Sequence, residues 1–285
     1  GGFDSLSRTP LLAERRRRTR PGDPASWDPG AAAADPLRLE SPLGRRTIAE
    51  YTGEEALAHG VTREQQDDWA VTSHRRYFEA QADGAFSREL IALPELDHDE
   101  SPRRSTGQDA LARLPTLYGS ATITAGNAPG LSDGAAFVAL ARASAVRELS
   151  LEPIARLHAQ VSVADGPTSG CYTPALAIKR LLDRANLGLD QLALLEINEA
   201  YAATALVSTL ELCGKDPAAA KALRERCNVH GGAVAIGHPL GASGARISLH
   251  LALALSAQGG GYGAAAICGG FGQGDALLLE VPAQN

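Results

Sequence analysis

Gly237-His238-Pro239-Leu240-Gly241-Ala242-Ser243-Gly244-Ala245-Arg246 closes a glycine-rich loop over residues 231–244 and feeds a helix expected from about Ser243 to Ala257. The glycines permit a tight turn and close approach of a ligand to the backbone, and a helix start offers unbonded N–H groups. Working outward, the text on both sides alternates apolar runs with amphipathic ones. Upstream, Ile154–Val163 and Leu192–Ile197 read as strands, while Pro174–Ala185 and Ala200–Cys213 read as helices. Downstream lie the strand Ala264–Cys268, a glycine turn and the strand Ala276–Val281. Strands alternating with helices predict a layered α/β architecture.

The first half is less regular. Residues 15–45 hold Arg15 to Arg18, Arg20, several prolines and an alanine run at 31–34, the composition of surface structure without a core. Thr62 and Gln65 form a capping-box pattern ahead of Trp69, Ala70, Ser73 and Tyr77 at helical spacing. A loop-rich stretch, about 94–120, leads to Thr122-Ile123-Thr124, a small-residue turn at 126–134 and the apolar run Ala135–Ala141, expected to be a buried strand. Asn127–Ala135 before that run echoes Gly270–Ala276 before the last strand, a hint of two related halves.

Composition narrows the classes. With 285 residues, 44% hydrophobic and 21% charged, the chain can bury a large core, and we find no apolar run of the roughly 18 residues that a membrane span requires. No membrane partner is expected. The net charge of −6 gives no global attraction for nucleic acid, so no nucleic acid partner is expected either. Cys171, Cys213, Cys227 and Cys268 form no CxxC pair, so neither a zinc ribbon nor a redox motif is suggested, no metal site is expected, and a reducing, cytoplasmic compartment fits best. No secretory signal is visible. The chain contains no methionine and opens on Gly1-Gly2, so residue 1 is not expected to be the start of the natural gene product.

Three places could carry chemistry, and each has a structural alternative. His238 could be a structural loop histidine, and the loop lacks the lysine of a nucleotide-binding P-loop. Asn198-Glu199-Ala200 follows a strand and opens a helix, where Asn or Glu can simply cap. Cys268 could be an inert buried thiol, although the glycines at 269, 270, 272 and 274 would expose N–H groups suited to an oxyanion.

Order and spacing together resemble the thiolase family. Its Asn-Glu-Ala-Phe is matched by Asn198–Tyr201, its Asn-Val-Asn-Gly-Gly-Ala by Asn228–Ala233, its Gly-His-Pro loop by Gly237–Arg246, and its Cys-x-Gly-Gly-Gly by Cys268 onward. Gly1–Ser7 is similar to the family's Gly-Gly-Met-Glu-Ser-Met-Ser, and Thr124–Asn127 with Asp133–Ala135 to its mid-chain signature. The resemblance spans the whole chain. It implies a layered αβαβα fold whose first half is incomplete here: residues 1–14 and 118–147 as remnants of the amino-terminal half, 15–117 as an inserted loop region, and 148–285 as the carboxy-terminal half.

The implied activity is acyl transfer between coenzyme A thioesters by Claisen condensation or thiolytic cleavage. Acyl-CoA and CoA are then the substrates, no cofactor is needed, and a dimer or tetramer is implied. By motif, His238 activates the nucleophile and faces the enolate oxygen, Asn198 holds a water beside it, Cys268 moves the α-proton, and the Gly270 N–H is one oxyanion donor. The family's nucleophilic cysteine lies upstream of the position of Gly1-Gly2, so the chain by itself is expected to be inactive. A non-catalytic acyl-CoA-binding or scaffold subunit is the rival reading. A ketosynthase is disfavoured because His-Gly-Thr is missing, His230-Gly231-Gly232 being the nearest approach.

Three departures bear on substrate. Phe271 stands where the family has glycine and places bulk beside Cys268 in the substrate site. Residues 46–54 stand where many members of the family have Met-Gly-x-Thr-Ala-Glu lining the acyl site, and Cys171-Tyr172-Thr173-Pro174 replaces its Gly-Pro-x-Pro. Arg15–Arg18 could meet coenzyme A phosphates, a solvated arginine face being the simpler reading.

Overall fold

A computed structural model describes residues 1–9, 40, 46–96 and 98–283. The run Arg15–Arg18 and the alanine run at 31–34 lie outside the described residues. Six strands are present among those described: β1 (Gly2–Ser5), β2 (Asp133–Ala136), β3 (Arg156–Ala164), β4 (Leu192–Ile197), β5 (Gly261–Cys268) and β6 (Gln273–Val281). The helices are α1 (Ile48–Ala58), α2 (Arg63–Ala82), α3 (Gln108–Ala112), α4 (Ala143–Glu148), α5 (Thr173–Ala185), α6 (Ala202–Leu212), α7 (Pro217–Arg224), α8 (Ala233–Ile236) and α9 (Leu240–Ala257).

β3 to β6 form one mixed sheet in the order β3-β6-β5-β4, with β4 parallel to β5 and the other two pairings antiparallel. Alternation along its strands sends residues to two covered faces. Leu192, Leu195, Ala264, Ala266 and Leu278 join Ile178 and Leu181 of α5 in one core. Leu194, Ala265, Leu279 and Val281 join Ile247, Leu251 and Leu255 of α9 in another. The result is a helix–sheet–helix sandwich. α9 spans 18 residues and is apolar enough by composition to cross a membrane, which corrects the expectation of no run that long. Half of it is buried, and the packing of its apolar face on the sheet gives that composition an internal use.

α2 begins as the sequence predicts. Thr62 Oγ1 accepts from Gln65 N–H at 3.2 Å and Gln65 Oε1 accepts from Thr62 N–H at 2.8 Å, the reciprocal pair that stops a helix fraying. Its inward face presents Trp69, Ala70, Ser73 and Tyr77 to the rest of the molecule. α1 was not foreseen from the sequence, although Thr47 caps it in the same manner, Oγ1 accepting from Glu50 N–H at 3.1 Å. α6 lies at the centre, packed on α5, α7, α1 and α2, and its Ala202, Ala205 and Leu206 share a core with Ala56 and Trp69.

The buried strand expected at Ala135–Ala141 is not formed. β2 stops at Ala136, pairs only with β1, and leaves Phe137 68% and Leu140 79% exposed. The run is apolar enough to be buried, but nothing among the described residues covers it. Helix boundaries also moved: α6 starts at Ala202 rather than Ala200, and α9 at Leu240 rather than Ser243.

Candidate active site

The signals that lay far apart in sequence meet at the carboxyl ends of β4 and β5. Parallel neighbours end on the same side of a sheet, so the residues that follow them, Asn198 and Gly269-Gly270, reach the same place. The loop before α9 supplies His238. A cavity of about 310 Å³ opens there, lined by His238, Cys268 and Gly270 together with Tyr201, Thr204 and Phe271.

His238 is held on three sides. Gly237 adopts φ +103°, and a Cβ on it would come within 2.3 Å of Ser132 Oγ, so only glycine brings the next residue this close. Ser132 Oγ accepts the His238 backbone N–H at 2.8 Å. The ring Nδ1 lies 2.6 Å from Ser243 Oγ, whose own proton goes to the Pro239 carbonyl at 2.9 Å. Nδ1 therefore carries the proton and Nε2 is the acceptor, 3.1 Å from Asn198 Nδ2. Burial lowers the His238 pKa to about 4, Arg246 adding to the effect and Asp4 opposing it. At neutral pH the ring is an uncharged base.

β1 and β2 support this loop from the side. Asp4 accepts the Gly241 N–H, and Asp133 accepts from Ser5 Oγ at 3.2 Å, from Ser7 N–H at 2.9 Å and from Ser7 Oγ at 2.5 Å.

Asn198 is buried behind His238, and its Oδ1 has no hydrogen-bond partner among the described residues, an orphaned acceptor that a bound water could satisfy. Neither Asn198 nor Glu199 caps α6, which corrects the capping alternative. Glu199 instead accepts from Trp69 Nε1 at 2.9 Å, Ser73 Oγ at 2.8 Å, Asn228 Nδ2 at 2.9 Å and Val234 N–H at 3.0 Å. A buried carboxylate with four donors is satisfied, and this one ties α2 to the floor of the site.

Cys268 ends β5 facing the cavity. Burial pushes its thiol up to about 11, and the N–H of Gly270 works in the opposite direction. Gly270 has φ +83°, a left-handed conformation that turns its N–H back toward the sulfur. Cys171 and Cys227 are fully buried, their thiols also pushed up by burial, and neither lines the cavity.

Sequence reasoning set residues 46–54 at the acyl site through the family resemblance but missed that they open the helix α1. Ile48 and Thr52 line the cavity, and Tyr51 between them donates its hydroxyl to the Gly270 carbonyl. It also missed the charge cluster behind His238, in which His250 Nδ1 sits 2.9 Å from Glu89 Oε1 and His250 Nε2 sits 3.1 Å from His230 Nδ1. His230 is thereby a link in a chain that runs through His250 to Glu89.

Comparison with known proteins points to one family. The family model described as Thiolase, C-terminal domain matches residues 151–281, and Thiolase, N-terminal domain matches residues 40–144. The chain is 42% identical to a probable acetyl-CoA acetyltransferase of Mycolicibacterium smegmatis, over 98% of this chain and 72% of that protein. It is 38% identical to a β-ketoadipyl-CoA thiolase of Acinetobacter baylyi, over 98% and 71%. Among solved structures, human mitochondrial 3-ketoacyl-CoA thiolase in complex with CoA superposes with a TM-score of 0.86 at 30% identity, over 99% of this chain and 70% of that one. The Bacillus anthracis acetyl-CoA acetyltransferase gives 0.84 at 31% identity, over 99% and 71%.

Proposed function

The chain belongs to the thiolase family, and from that premise we propose that the full-length protein is an acyl-CoA C-acyltransferase that makes or breaks the carbon–carbon bond of a 3-ketoacyl-CoA. The observation that carries the reading is the convergence of His238, Cys268 and Gly270 on one cavity, with Asn198 bonded to the His238 ring from behind. A scaffolding role has no observation of its own in its favour.

Each group has a task that its surroundings suit. His238 Nε2, unprotonated because Nδ1–H is engaged by Ser243, takes the proton from the nucleophilic thiol and returns it to the departing CoA sulfur. That nucleophile is a thiol other than the four cysteines of this stretch, of which only Cys268 lines the cavity. The acyl group then sits as a thioester whose carbonyl oxygen accepts from the Gly270 N–H. In the condensing direction the thiolate form of Cys268, a minor fraction at neutral pH, removes a proton from the α-carbon of the second acyl-CoA. The enolate carbon attacks the thioester carbonyl, and the nucleophilic thiolate leaves. In cleavage the thiol of Cys268 delivers that proton instead, and its high pKa keeps it protonated for the purpose. Asn198 holds a water beside His238, and that water donates to the enolate oxygen, joined by His238 only while Nε2 carries a proton.

Phe271 and Tyr201 narrow the cavity around the acyl group. Acyl-CoA and CoA are the ligands of this reading, a homo-oligomer its assembly and the cytoplasm its compartment, the last supported by four free cysteines.

Acetoacetyl-CoA and CoA mixed with the full-length protein should yield acetyl-CoA. After acetyl-CoA alone, mass spectrometry should find the Cys268→Ala variant acetylated but unable to exchange acetyl α-protons with solvent deuterium, and the His238→Ala variant slow to acetylate. Exchange at the parent rate in Cys268→Ala would remove the role given to that thiol.

A further inference from the structure

The loop that bears the oxyanion donor is almost without side chains. Glycine stands at 269, 270 and 272, and Gly270 and Gly272 both have positive φ. Glycine peptide planes rotate easily, so a donor built on them must be held from elsewhere to stay aimed. Within the loop, Gly269 N–H bonds Gln273 O at 2.9 Å and Phe271 N–H bonds Gln273 Oε1 at 3.3 Å. Its far end is tied where Asp165 N–H meets the Gly272 carbonyl at 2.8 Å. At Gly270 itself, among the described residues, one side chain from outside the loop makes a hydrogen bond, the Tyr51 phenol on the Gly270 carbonyl.

We propose that Tyr51 is a positioning residue for acyl transfer: by fixing the Gly270 carbonyl it fixes the conformation that aims the Gly270 N–H at the Cys268 sulfur and at the thioester oxygen. The inference rests on the acyltransferase reading of the site and adds a residue to it. Three observations support it. Tyr51 is 2% exposed and sits on α1 between Ile48 and Thr52, both of which line the cavity. A Cβ on Gly270 would come within 3.0 Å of Ile48 Cδ1, so α1 is packed directly on that residue and the phenol reaches it without slack. Burial, with the Cys268 and Glu55 charges adding, raises the Tyr51 pKa, so the phenol stays a donor throughout the working range.

Tyr51→Phe removes one oxygen and keeps the ring. In the full-length protein we expect kcat for acetoacetyl-CoA thiolysis to fall about tenfold, less than the 10² to 10³ lost when an oxyanion donor is itself deleted. KM should change less than twofold. The rate of iodoacetamide alkylation at Cys268, read by peptide mass spectrometry against pH, should shift its midpoint to higher pH as the sulfur loses the aimed N–H. Ile48→Val trims the packing on Gly270 and leaves the phenol in place, so its midpoint should match the parent. A parent-like kcat and midpoint in Tyr51→Phe would overturn the proposal. So would a loss confined to KM, a kcat loss that follows the melting temperature with the Cys268 profile unmoved, or an equal midpoint shift in Ile48→Val. If the full-length protein shows no thiolysis at all, the acyltransferase reading falls, while the alkylation profile, which needs no substrate, still decides what Tyr51 does to Cys268.

Discussion

β2 and β6 open on similar text, Asp133-Gly134-Ala135 in one case and Gly274-Asp275-Ala276 in the other, and meet different fates. β6 runs nine residues in the interior of a four-stranded sheet covered by α5 and α9, with Leu278 fully buried. β2 runs four residues against β1 alone, and the apolar residues beyond it face outward. Local text sets the tendency to extend. Whether a strand lengthens and buries depends on a neighbour to pair with and a helix to cover it.

Hydrogen exchange should give that contrast its largest expression. Amides in the middle of β5, flanked by β4 and β6, should open only with global unfolding, whereas those of β1 and β2 exchange from local fraying. Protection should differ by at least about 10³, some 4 kcal/mol. Equal protection would mean that the two sheets open as one unit.

A cavity in the covered sheet comes next. Leu278→Ala should lower unfolding stability by about 2–5 kcal/mol in urea, without altering the two-stranded sheet. A cost below about 1 kcal/mol would show that the enclosed sheet is as loose as the open one.

Acid should separate the two regions further. The His238 pKa falls from 6.5 to about 4, so above pH 6.5 the ring is neutral in both states and its contribution is full. Between pH 6.5 and 4 the unfolded chain takes a proton that the buried ring refuses, and stability declines by at most about 3 kcal/mol before levelling. NMR titration of His238 should show a midpoint near 4. A midpoint near 6.5 would place the ring in water, and the Ser132–Gly237 packing that holds it would be wrong.

The smallest stability effect belongs to the open sheet. Phe137→Ser should change unfolding free energy by no more than about 0.5 kcal/mol, while reducing concentration-dependent self-association seen by light scattering. A loss of more than about 2 kcal/mol would show that Phe137 is covered in solution.

Much of the covered region was legible in the sequence because each element carries its own pattern there. β4 has the bounds Leu192–Ile197 predicted from its apolar run, and Thr62 with Gln65 announced α2. His238, Asn198 and Cys268 could be singled out from motif text, since glycines beside a reactive side chain are a local signal. α1 was missed because Thr52 and Gly53 dilute its helical pattern, although Thr47-x-x-Glu50 repeats the capping signal read at Thr62. Tyr51 on Gly270 and Glu199 on Trp69 were illegible for another reason. Each is a contact between residues more than a hundred positions apart, and no periodicity within a window encodes it.

The last of those contacts has an optical consequence. Trp69 is one of two tryptophans, and its indole N–H points at a carboxylate that stands 130 residues further along the chain. An indole bonded to a buried anion emits at a wavelength and yield different from those of an indole in water. The molecule therefore carries its own lamp for assembly: with Trp27→Phe, fluorescence during refolding should change when α2 docks on the loop after β4, timing the arrival of the floor of the active site without an added label.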